Sequence, residues 1–390
     1  MPIDLARLRA ETDACDQILH FNNAGAALPP RPVVEAVVAH LRREAEIGGY
    51  EAEHEAAARL ARVYRSVATM LNAAPSEIAL VENATRAWDM AFYALRFQPG
   101  DRILTARAEY ASNYLAFLQV ARRTGAEIVT IPCDEDGAVS LPALERLIDE
   151  RVRLIAVTHV PTNGGLVNPA DGIGRLARAA GVPFLLDACQ SVGQMPVDVT
   201  AIGCDMLSAT GRKYLRGPRG TGFLYVRQEL LEQLEPPFLD LHAATWTAPD
   251  SYEIRPDARR FENWESYVAG RLGLGTAVDY ALEVGLDAIA DRIGTLAGRL
   301  RCTLGEIPGV VVRDLGASPC GIVTFTKASE GADALKARLA QLRMNVSVSR
   351  PSSTLLDFAA RGIPEVVRAS VHYYNTEGEV DRFVAAVAAA

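Results

Sequence analysis

The sequence predicts an α/β fold built on a mostly parallel sheet, on three observations. Short apolar runs alternate with helix-spaced stretches through the middle of the chain, as in successive βα units. Glycine-rich and polar joints separate them, where strand ends would open into a pocket. At 390 residues the chain exceeds one simple core. A large domain over residues 21–258 is therefore expected, with a smaller α+β domain from residues 1–20 and 259–390.

The elements follow in order. Leu60, Val63, Tyr64, Val67 and Leu71 recur at helical spacing, Ile78–Val81 reads as a strand, and Trp88, Phe92 and Leu95 mark the next helix. Residues 154–160 read as a buried strand. Ile173, Leu176 and Ala177 form a helix stripe ended by Gly181, and Phe184–Asp187 is the following strand, completing one crossover. Residues 206–209 and Gly222–Val226 are two more strands joined by residues 211–220. Residues 240–260 are polar and irregular, and a loop between domains is expected there. Residues 366–373 suit a strand, and Thr376 with Glu379 forms a capping box ahead of Val380, Phe383, Val384 and Val387.

A net charge of −8 argues against nucleic acid, whose phosphates need clustered Lys and Arg. No run approaches the about 18 apolar residues of a membrane span. Asp4, Arg7, Arg9, Glu11, Asp13 and Asp16 leave no apolar leader near the start, so a cytoplasmic protein is expected. The six cysteines are scattered without a CxxC or Cys/His cluster, so no metal site is expected and buried free thiols are.

Lysine is scarce: Lys213, Lys327 and Lys336 are the three in the chain. Lys336 falls on an amphipathic pattern and Lys327 beside a loop, whereas Lys213 follows a strand and small residues that allow close ligand approach. Alone, a lysine near glycines is ordinarily a solvated loop residue. Asp187, 26 residues upstream, ends a buried strand, where a carboxylate is costly unless a cation meets it. A pyridoxal cofactor needs this pair, an acid at its ring nitrogen and a lysine at its aldehyde; Asp187 could also cap a helix or pair with an arginine. Asn83-Ala84-Thr85 opens a helix and offers free N–H groups and a hydroxyl to a phosphate, or serves as a plain cap. Thr210 and Arg212 could add a hydroxyl and a positive charge to that phosphate.

Asp187-Ala188-Cys189-Gln190, Thr210-Gly211-Arg212-Lys213-Tyr214 and Gly217-Pro218-Arg219-Gly220-Thr221-Gly222 together resemble the class V aminotransferase-like, fold type I enzymes that use pyridoxal 5'-phosphate. That family includes group II cysteine desulfurases and carbon–sulfur lyases. The resemblance spans about residues 19–387 and implies a mostly parallel seven-stranded sheet between helices and a homodimer with the active site at the interface. It implies an aldimine on Lys213, Asp187 at the pyridine nitrogen, Gln190 at the ring oxygen with Thr162 or Asn163 assisting, and Asn83, Ala84 and Thr85 as the phosphate loop. Tyr110 replaces the usual ring-stacking histidine and keeps an aromatic platform without that proton donor. Arg368 matches the holder of the substrate carboxylate, though a surface ion pair is its ordinary alternative. Ala26 and Ala27 lie in a segment resembling the pocket's N-terminal wall, and Ser266 in one that reaches the neighbouring subunit's phosphate.

Family desulfurases use a mobile cysteine, and Ser353 stands at its position, 15 residues before Arg368; no cysteine follows Cys320. The resemblance therefore points to an amino-acid substrate and to β-elimination through an α-carbanion, a carbon–sulfur lyase on a cysteine-derived compound. The wording around Lys213 looks closest to the ergothioneine pathway's sulfoxide lyase and to cystine lyase. Transamination and epimerisation start from the same carbanion, and a cysteine desulfurase and a catalytically silent cofactor sensor are the remaining readings. Gly217 to Gly222 has the wrong order for a dinucleotide loop.

Overall fold

The computed structural model describes residues 3–389. After a short strand, β1 (Leu19–His20), the chain lays down β2 (Ile78–Val81), β3 (Arg102–Thr105), β4 (Glu127–Thr130), β5 (Val152–Thr158), β6 (Phe184–Asp187), β7 (Met206–Thr210) and β8 (Gly222–Val226). The last seven form one sheet in the order β2-β8-β7-β6-β5-β3-β4, in which β8 alone runs antiparallel to its neighbours. β6, β7 and β8 are buried throughout. Helices cover both faces of a parallel sheet, so its central strands read as unbroken apolar runs rather than as alternation.

The crossover between β5 and β6 is the helix Ala170–Ala180, whose Ile173 and Ala177 are buried and whose end is set by Gly181 at φ +66°. Only glycine takes that left-handed conformation without a Cβ penalty. Register aligns the carboxyl ends of three central strands: Thr158 pairs with Asp187, and Asp187 with Ser208. Pocket residues therefore collect along one edge.

Residues 240–260 are not an irregular loop. They contain a hairpin of β9 (Ala244–Ala248) and β10 (Ser251–Ile254) around Pro249 and Asp250. Trp246 and Tyr252 stand out from it, 79% and 51% exposed. A hairpin held by main-chain bonds, with no buried face, leaves no apolar period to read.

The C-terminal part adds β11 (Val310–Val312), β12 (Ile322–Lys327), β13 (Met344–Asn345), β14 (Ser347–Ser349) and β15 (Val366–Ser370). An antiparallel sheet runs β11-β12-β15-β14, while β13 pairs in parallel with β1. An isolated bridge from Asn22 to Ser370 ties the N-terminal segment to β15. The final helix Glu377–Ala388 starts at the expected box: Thr376 Oγ1 accepts from Glu379 N at 3.1 Å, and the Glu379 carboxylate accepts from Thr376 N at 3.0 Å.

His159 extends the β5–β6 pairing, its N–H donating to Asp187 O at 2.9 Å, while its buried ring Nδ1 has no partner. Burial pushes this imidazole down to about 4. The unfolded chain then binds the extra proton between pH 6.5 and about 4, so the stability contributed by the neutral ring is present above that window and lost on acidification through it. We expect His159→Asn to lose less stability between pH 6.5 and 4 than the parent, by on the order of 3 kcal/mol, in urea unfolding series. Parallel pH profiles would refute it.

Candidate active site

A cavity of about 400 Å³ opens at the carboxyl edge of the large sheet. Asp187 ends β6 on its wall, and Lys213 enters it from the loop that follows β7. That loop is held rigidly. Arg216, buried at φ +61°, donates its N–H to Lys213 O at 2.9 Å, while its guanidinium reaches Leu28 O, the Tyr373 hydroxyl and Thr12 Oγ1. Burial pushes the Lys213 ammonium below its ordinary value, and Arg212 and Arg368 add to the effect against Cys189 and Asp187. A more easily neutralised amine is what attack on an aldehyde requires.

The other two lysines do different work. Lys327 Nζ donates to Val387 O and Ala389 O, capping the last helix, and Lys336 is exposed on the helix Ala332–Gln341.

Neither ordinary explanation of Asp187 holds among the described residues. Its oxygens accept from Cys189 N and Asn113 Nδ2, each at 2.9 Å, and no arginine pairs with it. The carboxylate is buried, faces the cavity and makes no ion-pair contact among the described residues.

Gln190 Nε2 donates to Thr162 Oγ1 at 3.0 Å and to Ala24 O at 3.1 Å, while its buried Oε1 is unpartnered. Thr162 Oγ1 also accepts Arg368 Nη1 at 2.6 Å, so both lone pairs are engaged and its proton is free to donate. Arg368, on β15, is buried rather than part of a surface ion pair. Its Nη2 reaches Asn22 Oδ1 at 3.3 Å, its Nε has no partner, and burial lowers it to about 10.

At the opposite end, Asn83 Oδ1 caps the helix Ala84–Phe92 by accepting Arg86 N at 2.9 Å. The first N–H groups of a helix have no partner within it, and Ala84 and Thr85 stand on the cavity wall with Arg212. A Cβ on Gly222 would come within 3.0 Å of Asn83 Cα and 2.6 Å of Ala209 O, so this close approach of cap and strand requires glycine. Arg212 Nη1 donates to Thr210 Oγ1 at 3.2 Å, placing Thr210 behind the arginine rather than on the wall. Tyr110, 38% exposed, lines the cavity at the N-cap of the helix Ala111–Thr124.

Besides Thr210, five expected residues are not on this wall: Arg368, which reaches the wall residue Thr162, and Asn163, Ala26, Ala27 and Ser266. Asn163 turns its Nδ2 to Ser353 Oγ at 2.7 Å. Ala26 and Ala27 pack behind the wall, Ala27 N donating to Arg212 O at 2.9 Å and Ala26 O accepting His20 Nε2 at 2.8 Å. Ser266 lines a second cavity of about 760 Å³ with Tyr50, His54, Arg259 and Trp264. Conversely, Asn113, Thr158, Val160 and Cys189 line the first cavity without having been singled out for it. Asn113 lies in the first turn of the helix Ala111–Thr124, three residues after its Tyr110 N-cap, where helical spacing alone does not point to the cavity.

The groups fit pyridoxal phosphate on the structure's own evidence. An uncompensated buried carboxylate, a depressed lysine, an orphaned amide oxygen and a helix N-terminus with an arginine line a single cavity.

The aminotransferase class-V family profile matches residues 19–383. A probable cysteine desulfurase of Methanothermobacter thermautotrophicus is 30% identical over 370 residues, covering 93% of this chain and 92% of that protein. The structure of an apo cysteine desulfurase from Thermococcus onnurineus superposes with a TM-score of 0.91 at 27% identity, covering 100% of this chain and 98% of that one. A cystine C–S lyase in complex with cysteine persulfide shares the fold, with a TM-score of 0.87 at 24% identity over 97% of this chain and 99% of its own. The match over nearly the whole chain, on a cavity with this acid and this lysine, places the protein in the class-V aminotransferase family of pyridoxal phosphate-dependent enzymes.

Proposed function

We propose that the protein is a carbon–sulfur lyase that cleaves a cysteine-derived amino acid by β-elimination. Ser353 carries this reading. It occupies the position where the family's desulfurases hold their mobile acceptor cysteine, and its hydroxyl donates to Arg350 O at 2.8 Å and accepts from Asn163 Nδ2. A hydroxyl cannot take sulfur as a persulfide. Cys189 lines the cavity, but burial pushes its thiol up to about 12, away from the nucleophilic thiolate.

The residues divide the work by position. Pyridoxal phosphate, when bound, supplies the electron sink for the bond broken at the α-carbon. Asp187 would face its ring nitrogen, Gln190 and Thr162 its ring oxygen, and Ala84, Thr85 and Arg212 its phosphate, with Tyr110 against the ring face. The Lys213 amine takes the α-proton. Arg368 binds the substrate carboxylate in two-point fashion through its unpartnered Nε and the Nη2 that reaches Asn22, orienting the α-C–H bond toward Lys213. A β-sulfur substituent leaves as a thiolate or persulfide, and the remaining fragment hydrolyses to pyruvate and ammonia.

Desulfurase chemistry is the second reading, favoured by what the curated relatives are named. Product analysis separates the two. With cystine and cysteine S-conjugates we expect pyruvate and ammonia in equal amounts; alanine with enzyme-bound persulfide would instead establish sulfur transfer. Lys213→Ala should abolish both the visible absorption band of the cofactor-loaded protein and turnover, and a mutant that kept the parent spectrum would remove the lysine from its role. Arg368→Ala should weaken amino-acid binding by about 2 to 5 kcal/mol, read as KM or inhibitor Kd. Its affinity for pyridoxal phosphate should change little, and equal loss of both would contradict the carboxylate role.

A further inference from the structure

Glu109 is buried beside the cavity and takes no part in the chemistry above. Its carboxyl accepts from Tyr110 N and Asn113 Nδ2 at 2.9 Å, Thr158 N at 3.0 Å and Thr105 Oγ1 at 3.2 Å, and Thr158 Oγ1 makes a further short contact. Two of these partners are backbone N–H groups and one is an amide, which can only donate, so the site is built for a carboxylate. No arginine or lysine pairs with it among the described residues. Burial and the Asp187 charge push this carboxyl up to about 7, against its donors.

Asn113 links this group to the cofactor site. Its Nδ2 commits one hydrogen to Glu109 Oε1 and the other to Asp187 Oδ2, both at 2.9 Å. The reversed amide would set its oxygen against two carboxylates, so the orientation follows from the partners. Two buried acids therefore share one amide, and the place beside Asp187 is where a cation can balance both.

We infer that Glu109 is a positioning residue for the cofactor's ring nitrogen: through Asn113 it fixes the Asp187 carboxylate and, as a cation beside Asp187 draws out its charge, sets a second negative group behind it, holding that nitrogen protonated. The inference rests on the pyridoxal phosphate assignment but not on the fate of the substrate. Glu109 also receives Tyr110 N, so the acid at the ring nitrogen and the aromatic platform belong to one hydrogen-bonded unit spanning β3, β5, β6 and the start of the helix Ala111–Thr124.

The test compares pyridoxal phosphate with its 1-deaza analogue, in which CH replaces the ring nitrogen. Dissociation constants are measured for the parent, Glu109→Gln and Asn113→Ala, with near-ultraviolet circular dichroism to establish that each variant is folded. Asn113→Ala cuts the bridge while leaving four of the five Glu109 contacts, so it serves if Glu109→Gln does not fold. Each variant should bind pyridoxal phosphate more weakly by on the order of tenfold and the deaza analogue within about twofold of the parent. Equal losses for the two compounds would mean a structural role only, and an unchanged affinity for pyridoxal phosphate would remove the role altogether. Lyase chemistry is judged on products, so its failure would leave these affinities standing.

Discussion

Everything at the active edge of this protein answers to one constraint, a carboxylate buried at the end of a central strand with no ion-pair contact among the described residues. Asp187 caps a strand that is apolar and buried throughout. Leaving such a charge uncompensated costs several kcal/mol in real proteins, and the two N–H donors from Cys189 and Asn113 offset only part of that. Lys213, with its ammonium destabilised on the same wall, completes the asymmetry: one end of the cavity favours positive charge, and the other favours loss of it.

A second constraint joins the two sheets. Arg368 belongs to the smaller sheet, yet its guanidinium reaches Thr162 in the loop after β5 and Asn22 in the N-terminal segment. Thr162 in turn accepts from Gln190. The candidate carboxylate binder is thereby set against the ring-oxygen group by hydrogen bonds rather than by backbone proximity. Any group that engages Arg368 competes with, or adds to, a contact that Thr162 already uses, so the two sheets are coupled through one hydroxyl.

Much of the fold was legible because it rests on local rules. Central strands buried on both faces appear as apolar runs, the parallel Phe184–Asp187 and the antiparallel Gly222–Val226 alike, Gly181 ends its helix through a left-handed residue, and Thr376 with Glu379 caps the last one. The hairpin of β9 and β10 was not legible, since its strands bury little and depend on main-chain pairing that composition does not record.

The sequence by itself determined the family, the candidate lysine and acid, and the lack of any cysteine after Cys320, because these lie in contiguous motifs or can be counted. Only the tertiary structure decided which neighbours share the wall. Asn163 turns away to Ser353, Thr210 stands behind Arg212, and Ser266 belongs to another cavity, while Asn113 bridges Glu109 to Asp187, which lies 74 residues further along the chain on β6. Side-chain direction at a loop or helix start depends on which hydrogen-bond partners the folded chain delivers there, and those partners come from strands far away in the chain.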